Sequence, residues 1–168
     1  EKKKLKINYP PEHVIDKKIV LKNLQKHKSD SFIMWLDHAS FIIKLGNTTI
    51  ITDPVFEKYY GYFGFGTKKY IEPPLKLKEL PEINLFLLSH NHLDHMSQKT
   101  INNFPYKNTK VLVPLKLGKY FTKNGYKKDK VKEMDWFDKI KINDEITVTM
   151  LPSQHWSKRW IWGVGNTN

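Results

Sequence analysis

No cysteine occurs among the 168 residues. Disulfides are therefore excluded, and so is every metal site built on thiolate. Any metal held by this chain must sit on histidine and carboxylate. Long apolar runs are also missing. The longest, Phe41-Ile42-Ile43 and Leu85-Phe86-Leu87-Leu88, have the length of a strand and fall far short of a bilayer span. The Lys-rich start is not followed by the apolar stretch of a secretory leader, and the first residue is Glu rather than Met. Acidic residues are scarce beside basic ones, 17 against 29, for a formal net charge of +12. Such a charge favours anionic partners: phospholipid headgroups, phosphorylated metabolites or nucleic acid. The lysines are scattered rather than clustered, so an AT-rich genome accounts for the excess equally well.

What is present is enough for a folded domain, with 39% hydrophobic and 13% aromatic residues. Residues 1–30 are polar and Lys-rich and are expected to form an arm, or a short helix over Lys17 to Lys28. Residues 31 to 168 are expected to form one folded domain. Phe32 to Trp35, Ser40 to Lys44 and Thr48 to Thr52 predict three short strands, with Gly46-Asn47 as a hairpin turn. Val55 to Pro81 is expected to be irregular. It is crowded with Phe and Tyr and punctuated by Gly61, Gly64 and Gly66, in the manner of a lid or functional loop. Its aromatic part, Val55 to Tyr70, is expected either to touch acyl chains or the membrane interface or to form a cover packed over the core. Ile83 to Leu88 predicts a strand buried on both faces. Ser97 to Phe104 and Pro114 to Asn124 predict helices, and Lys110 to Val113, Val131 to Met134, Lys139 to Ile142 and Ile146 to Leu151 predict strands. Antiparallel strands followed by strand–helix alternation imply an α/β layered fold with a mixed sheet and helices on one side.

The chemistry concentrates in Ser89-His90-Asn91-His92-Leu93-Asp94-His95, directly after the buried strand. Four potential ligands lie within six residues. His90 and His92 are two apart and point to one side in extended backbone. Asp94 and His95 diverge from them and suit a second ion. A helical metalloprotease pattern is excluded, because Asn91 stands where its Glu is needed and a strand precedes the motif. His155 follows another strand end and is the natural third donor beside His90 and His92. Asp53 closes the third strand; it either orients a ligating histidine from behind or simply makes an Asp-Pro turn. His38 either supports the site or is a turn histidine. His13 and His27 lie in the polar arm.

His90-Asn91-His92-Leu93-Asp94-His95 matches the HxHxDH signature of the metallo-β-lactamase superfamily. More closely, the chain resembles bacterial relatives of N-acyl-phosphatidylethanolamine-hydrolysing phospholipase D. Trp35-Leu36-Asp37-His38-Ala39-Ser40 is similar to that family's W-L-G-H-A-S/T, with Asp37 in place of Gly. Ile51-Thr52-Asp53-Pro54-Val55-Phe56 is similar to L-T-D-P-V-F, Gln154-His155-Trp156-Ser157 to Q-H-W-S, and Pro73-Pro74-Leu75 with Leu80-Pro81 to its proline-rich approach to the metal strand. The resemblance implies an αββα sandwich, of which this chain carries about the first half. It also implies two Zn2+ and hydrolysis of a phosphodiester in an anionic phosphate-ester or phospholipid substrate. One zinc falls to His90, His92 and His155, and part of the second to Asp94 and His95. Asp94 is also the expected catalytic residue, orienting the attacking water. A lactonase, a sugar-phosphate enzyme or a nuclease on the same fold is the alternative, the nuclease being less favoured by the segments around Trp35 and His155. Bacterial origin is expected, in the cytoplasm or at the membrane periphery. The family completes its site with a later Asp and His, which nothing after His155 supplies. A fragment with self-association or poor solubility, inactive for want of those later ligands, is the expectation that follows.

Overall fold

The computed structural model describes Pro10 and residues 14–62, 65–155, 157–160 and 163–165, and of residues 62, 65, 157–160 and 163–165 the backbone alone. Its centre is a six-stranded mixed sheet. β1 (Phe32–Asp37), β2 (Ser40–Leu45) and β3 (Thr48–Thr52) form an antiparallel meander, closed between β2 and β3 by Gly46 at φ +52°. β4 (Tyr59–Tyr62) and β5 (Phe65–Lys68) lie outside this sheet as a separate hairpin. β6 (Leu85–Leu87), β7 (Lys110–Pro114) and β8 (Val131–Met134) then continue the sheet in parallel from β3, in the order β1-β2-β3-β6-β7-β8.

Successive side chains of each strand go to opposite faces, and both faces are apolar. Ile42, Ile51, Phe86, Val111 and Val113 share one buried cluster, while Ile50, Leu85, Leu112 and Met134 share the other. Helices cover the first face. α1 (Lys17–Lys26) contributes Val20, α2 (Gln98–Asn103) contributes Ile101, and α3 (Gly118–Thr122) contributes Phe121. Phe86 is the hub, with its ring 5.4 Å from that of Phe104 and 5.0 Å from that of Phe121, both edge to face. A hairpin of β9 (Lys139–Lys141) and β10 (Thr147–Thr149) lies against the second face through Ile140, Val148 and Met150. β11 (Ser157–Trp160) and β12 (Gly163–Gly165) form a last antiparallel pair. The architecture is an α/β fold with a central mixed sheet flanked by helices, in keeping with part of an αββα sandwich. No helix among the described residues is long and apolar enough to cross a membrane.

Two elements differ from expectation for physical reasons, and a third, the Lys-rich arm, takes the helical one of the two forms expected of it. The helix expected from Pro114 shrinks to Gly118–Thr122, because Lys116 takes a left-handed φ of +67° that no helix accommodates. The Asp16 side chain caps α1 by accepting from Lys18 N at 2.8 Å, and Val20 is buried in the core, so this part of the Lys-rich arm is an ordered packing element. The stretch from Val55 to Pro81, expected to be irregular, contains the β4–β5 hairpin. Gly66 makes it possible: at φ +135° an added Cβ would lie 2.0 Å from the Tyr60 carbonyl oxygen.

The topology decides where the chemistry lies. β3 and β6 run in parallel and end together, with Asp53 N donating to Leu87 O at 3.0 Å. Because β2 is antiparallel to β3, the β1–β2 turn carrying His38 comes to the same edge. There Ser40 Oγ donates to Asp53 O at 2.6 Å. Ligands of open α/β sheets gather at this carboxyl edge.

Candidate metal centre

Two groups of donors meet at that edge. His90, His92 and His155 each offer a ligand atom, all within 4.8 Å of one another, and so do His38, Asp94 and His95. The first group is a knot of three rings: His90 and His92 centroids are 4.6 Å apart, and each lies 4.7 Å from that of His155. His155 Nε2 is 3.2 Å from His92 Nδ1. In the second group His38 Nε2 is 3.0 Å and His95 Nε2 is 3.8 Å from Asp94 Oδ2. The groups adjoin, since the His90 and His95 centroids are only 4.0 Å apart. The expected donors His90, His92, Asp94, His95 and His155 are thus brought together, and His38 joins them with a donor of its own. His27 lies elsewhere, paired with Asp30 at 2.8 Å. His13, and Trp156 of the Q-H-W-S resemblance, lie outside the described residues.

Asp53 lies behind the donors, buried, with a left-handed φ of +37°. Its Oδ1 accepts from Ser89 N at 2.7 Å, and its Oδ2 accepts from Ser89 Oγ at 2.5 Å and from His95 Nδ1 at 2.8 Å. These contacts determine tautomers. Ser89 has one hydroxyl proton and gives it to Asp53. Its oxygen, 2.8 Å from His90 Nδ1, is then left to accept, so His90 carries its proton on Nδ1. His95 likewise carries its proton on Nδ1, toward Asp53. In both rings the lone pair is on Nε2, the atom turned away from the brace. Ser89 was not singled out by the sequence as a supporting residue, though its place between the buried strand and the first His was the available signal.

The donor set fits a metal ion. His90 Nε2 is buried with no hydrogen-bond partner, and a basic nitrogen is costly in that state unless something binds it. Tetrahedral zinc with bonds of about 2.1 Å places ligand nitrogens about 3.4 Å apart; the 3.2 Å between His155 Nε2 and His92 Nδ1 is close to that. Burial, reinforced by the charges of His95 and His92 against the opposing charge of Asp53, pushes the His90 pKa down to about 4. Its ring is therefore neutral at neutral pH, the form a metal requires. A cavity of about 350 Å³ opens on this side, walled by His90, His155, Pro114, Trp136 and Met150. A larger cavity of about 810 Å³ is lined by Leu93 and Met96 among others and by none of the donors.

Beneath His38 is a group with no sequence signal except one departure. Asp37 stands where the resembling family has Gly. Its carboxylate is 2.7 Å from Lys69 Nζ and accepts from Tyr60 Oη at 2.8 Å. The Lys69 side chain is fully buried and that of Asp37 is 11% exposed. Lys69 Nζ also donates to Val55 O. Burial, and then the hydrogen bond to Asp37, raise the Tyr60 pKa well above its ordinary value, so the phenol remains a donor.

A mixed sheet with paired His/Asp groups at its carboxyl edge defines a metal-binding α/β domain. The profile of the beta-lactamase superfamily domain matches residues 48–167, and the chain belongs to that family. It is 31% identical over 162 residues to N-acyl-phosphatidylethanolamine-hydrolyzing phospholipase D 1 of Caenorhabditis elegans, covering 86% of this chain and 46% of that protein. It is 30% identical over 129 residues to the mitochondrial enzyme of the same name from Saccharomyces cerevisiae, covering 74% of this chain and 27% of that one. Among solved structures it is similar to CmlA, a diiron beta-hydroxylase from Streptomyces venezuelae, with a TM-score of 0.53 and 27% identity over 74% of this chain and 24% of that one. The chain therefore spans less than half the length of these relatives.

Proposed function

We propose that the protein is a metal-dependent hydrolase that cleaves phosphodiesters of phospholipid-like substrates, using two adjoining metal ions. The observation that carries this reading is the pair of adjoining donor groups, with His90 Nε2 buried and unsatisfied at their junction. When bound, such ions would supply Lewis acidity to a phosphoryl oxygen and lower the pKa of a bound water. His90, His92 and His155 would hold one, and His38, Asp94 and His95 the other. The chain's own part is to keep the His90 ring neutral and to aim the His90 and His95 rings. Asp53 and Ser89 fix the His90 and His95 tautomers from behind. Asp94 is the carboxylate among the six donors and would orient the attacking water besides binding metal. The net charge of +12 draws in an anionic substrate. Two relatives named as N-acyl-phosphatidylethanolamine-hydrolyzing phospholipases support the lipid branch.

The resemblance to a diiron protein makes iron the competing metal, since His and carboxylate donors without Cys suit both ions. The test is hydrolysis of bis-p-nitrophenyl phosphate and of N-acyl-phosphatidylethanolamine by protein stripped of metal and reloaded with zinc or iron. The expected result is zinc-dependent release of a phosphomonoester from both substrates. Hydrolysis of a lactone or of DNA, with neither of these substrates cleaved, would replace the substrate class. Turnover with iron alone would replace the metal.

A further inference from the structure

The Asp37–Lys69 pair needs an explanation that stability does not provide. Burying two charges is costly, and replacing both members of such a pair with neutral side chains is often harmless to stability. This pair has a definite position. Asp37 directly precedes His38, whose backbone turns at a left-handed φ of +46° between β1 and β2. On one side of the turn the Trp35 indole Nε1 donates to His38 O at 2.9 Å. On the other, Lys69 and Tyr60 hold the Asp37 carboxylate from the β4–β5 hairpin. The Lys69 backbone is itself fixed, with its N donating to Lys58 O at 2.9 Å. The rings follow the same line: Tyr60 to His38 is 5.6 Å and His38 to His95 is 5.0 Å between centroids. Two hairpins far apart in sequence are thus joined at the residue before a donor histidine.

We propose that Asp37, Lys69 and Tyr60 form a positioning unit that holds His38 toward Asp94 and His95, so that the β4–β5 hairpin sets the metal affinity of the second donor group and not of the first. None of the three touches a metal or substrate; they act through His38. This rests on the two-metal reading above. Tyr60 holds its bond to Asp37 whichever substrate the protein takes, so the unit is independent of the choice of substrate.

The test uses Asp37→Asn combined with Lys69→Met. This removes both charges together, keeps an acceptor for Tyr60, and avoids leaving one buried charge unpaired. Folding is checked by circular dichroism and thermal melting. Zinc is then titrated against a chelating competitor. The wild-type chain is expected to show two classes of site, and the double variant one class weakened about tenfold or more, the range for losing an outer contact to a ligand, with the other unchanged. Tyr60→Phe should weaken the same class a few-fold. Equal weakening of both classes in a folded variant, or no change in either, would overturn the proposal. A second readout needs no metal. In histidine-labelled, metal-free protein the His38 and His95 rings should show a nuclear Overhauser contact that the double variant loses; its retention would also overturn the proposal. If wild-type protein bound fewer than two zinc ions while that ring contact was present and lost in the variant, the two-metal reading would fail and the positioning unit would stand.

Discussion

His90 and His95 face each other across 4.0 Å, yet the groups they belong to are held by different means. The first group draws two donors from one loop and one from His155, and its rings pack against each other. The second draws His38, Asp94 and His95 from two loops, and each histidine has a carboxylate near it: Asp53 behind His95, and Asp37 on the residue before His38. The first is held by contact among its three rings and by the Ser89 brace behind His90, and the second by a hydrogen-bonded frame that extends into a hairpin outside the main sheet. Two sites that share a loop can therefore respond separately to mutation.

The largest separation between them is expected from His90→Ala, which removes a donor whose free nitrogen is buried at the junction. Zinc stoichiometry, measured by plasma emission after dialysis, should fall from two to one. Phosphodiesterase activity should drop more than about 100-fold, since ligand loss exceeds the 10–100-fold typical of outer contacts. Next is Asp53→Asn, which tolerates the left-handed backbone but cannot accept from Ser89 and His95 alike. Chelator competition should show the second group weakened about 10–100-fold and the first less, because only His90 is reached, and through Ser89. Gly66→Ala places a Cβ against Tyr60 O and should destabilise the hairpin by about 1–3 kcal/mol. Calorimetric titration should then show weaker binding in the second group alone. Tyr60→Phe is the mildest change. Loss of one hydrogen bond costs about 1 kcal/mol, visible as a small drop in melting temperature and a few-fold loss in the second group.

These differences also mark what the sequence could disclose. The first group was legible because His90 and His92 alternate directly after a buried run, and local spacing decides which way they point. His155 was legible by its position after a strand end. The meander was legible because Ile42/Ile43 and Ile50/Ile51 alternate between two cores. The frame of the second group was not. Asp37 differs from the Gly of the resembling family, but its partner Lys69 is one lysine among many, and only the fold of the β4–β5 hairpin brings it there. That hairpin was itself hidden by glycines that imply an irregular loop, while in fact Gly66 lets two strands approach closely. His38 lacked a decisive signal because its role depends on a turn conformation that spacing does not encode.

Two metal ions are expected side by side on these six donors. Anomalous diffraction at the zinc absorption edge, from crystals of zinc-loaded protein, tests this most directly. Two peaks are expected, one about 2.1 Å from nitrogens of His90, His92 and His155, and the other within bonding distance of His38, Asp94 and His95. A single peak shared by both groups, or peaks away from these six residues, would contradict that expectation.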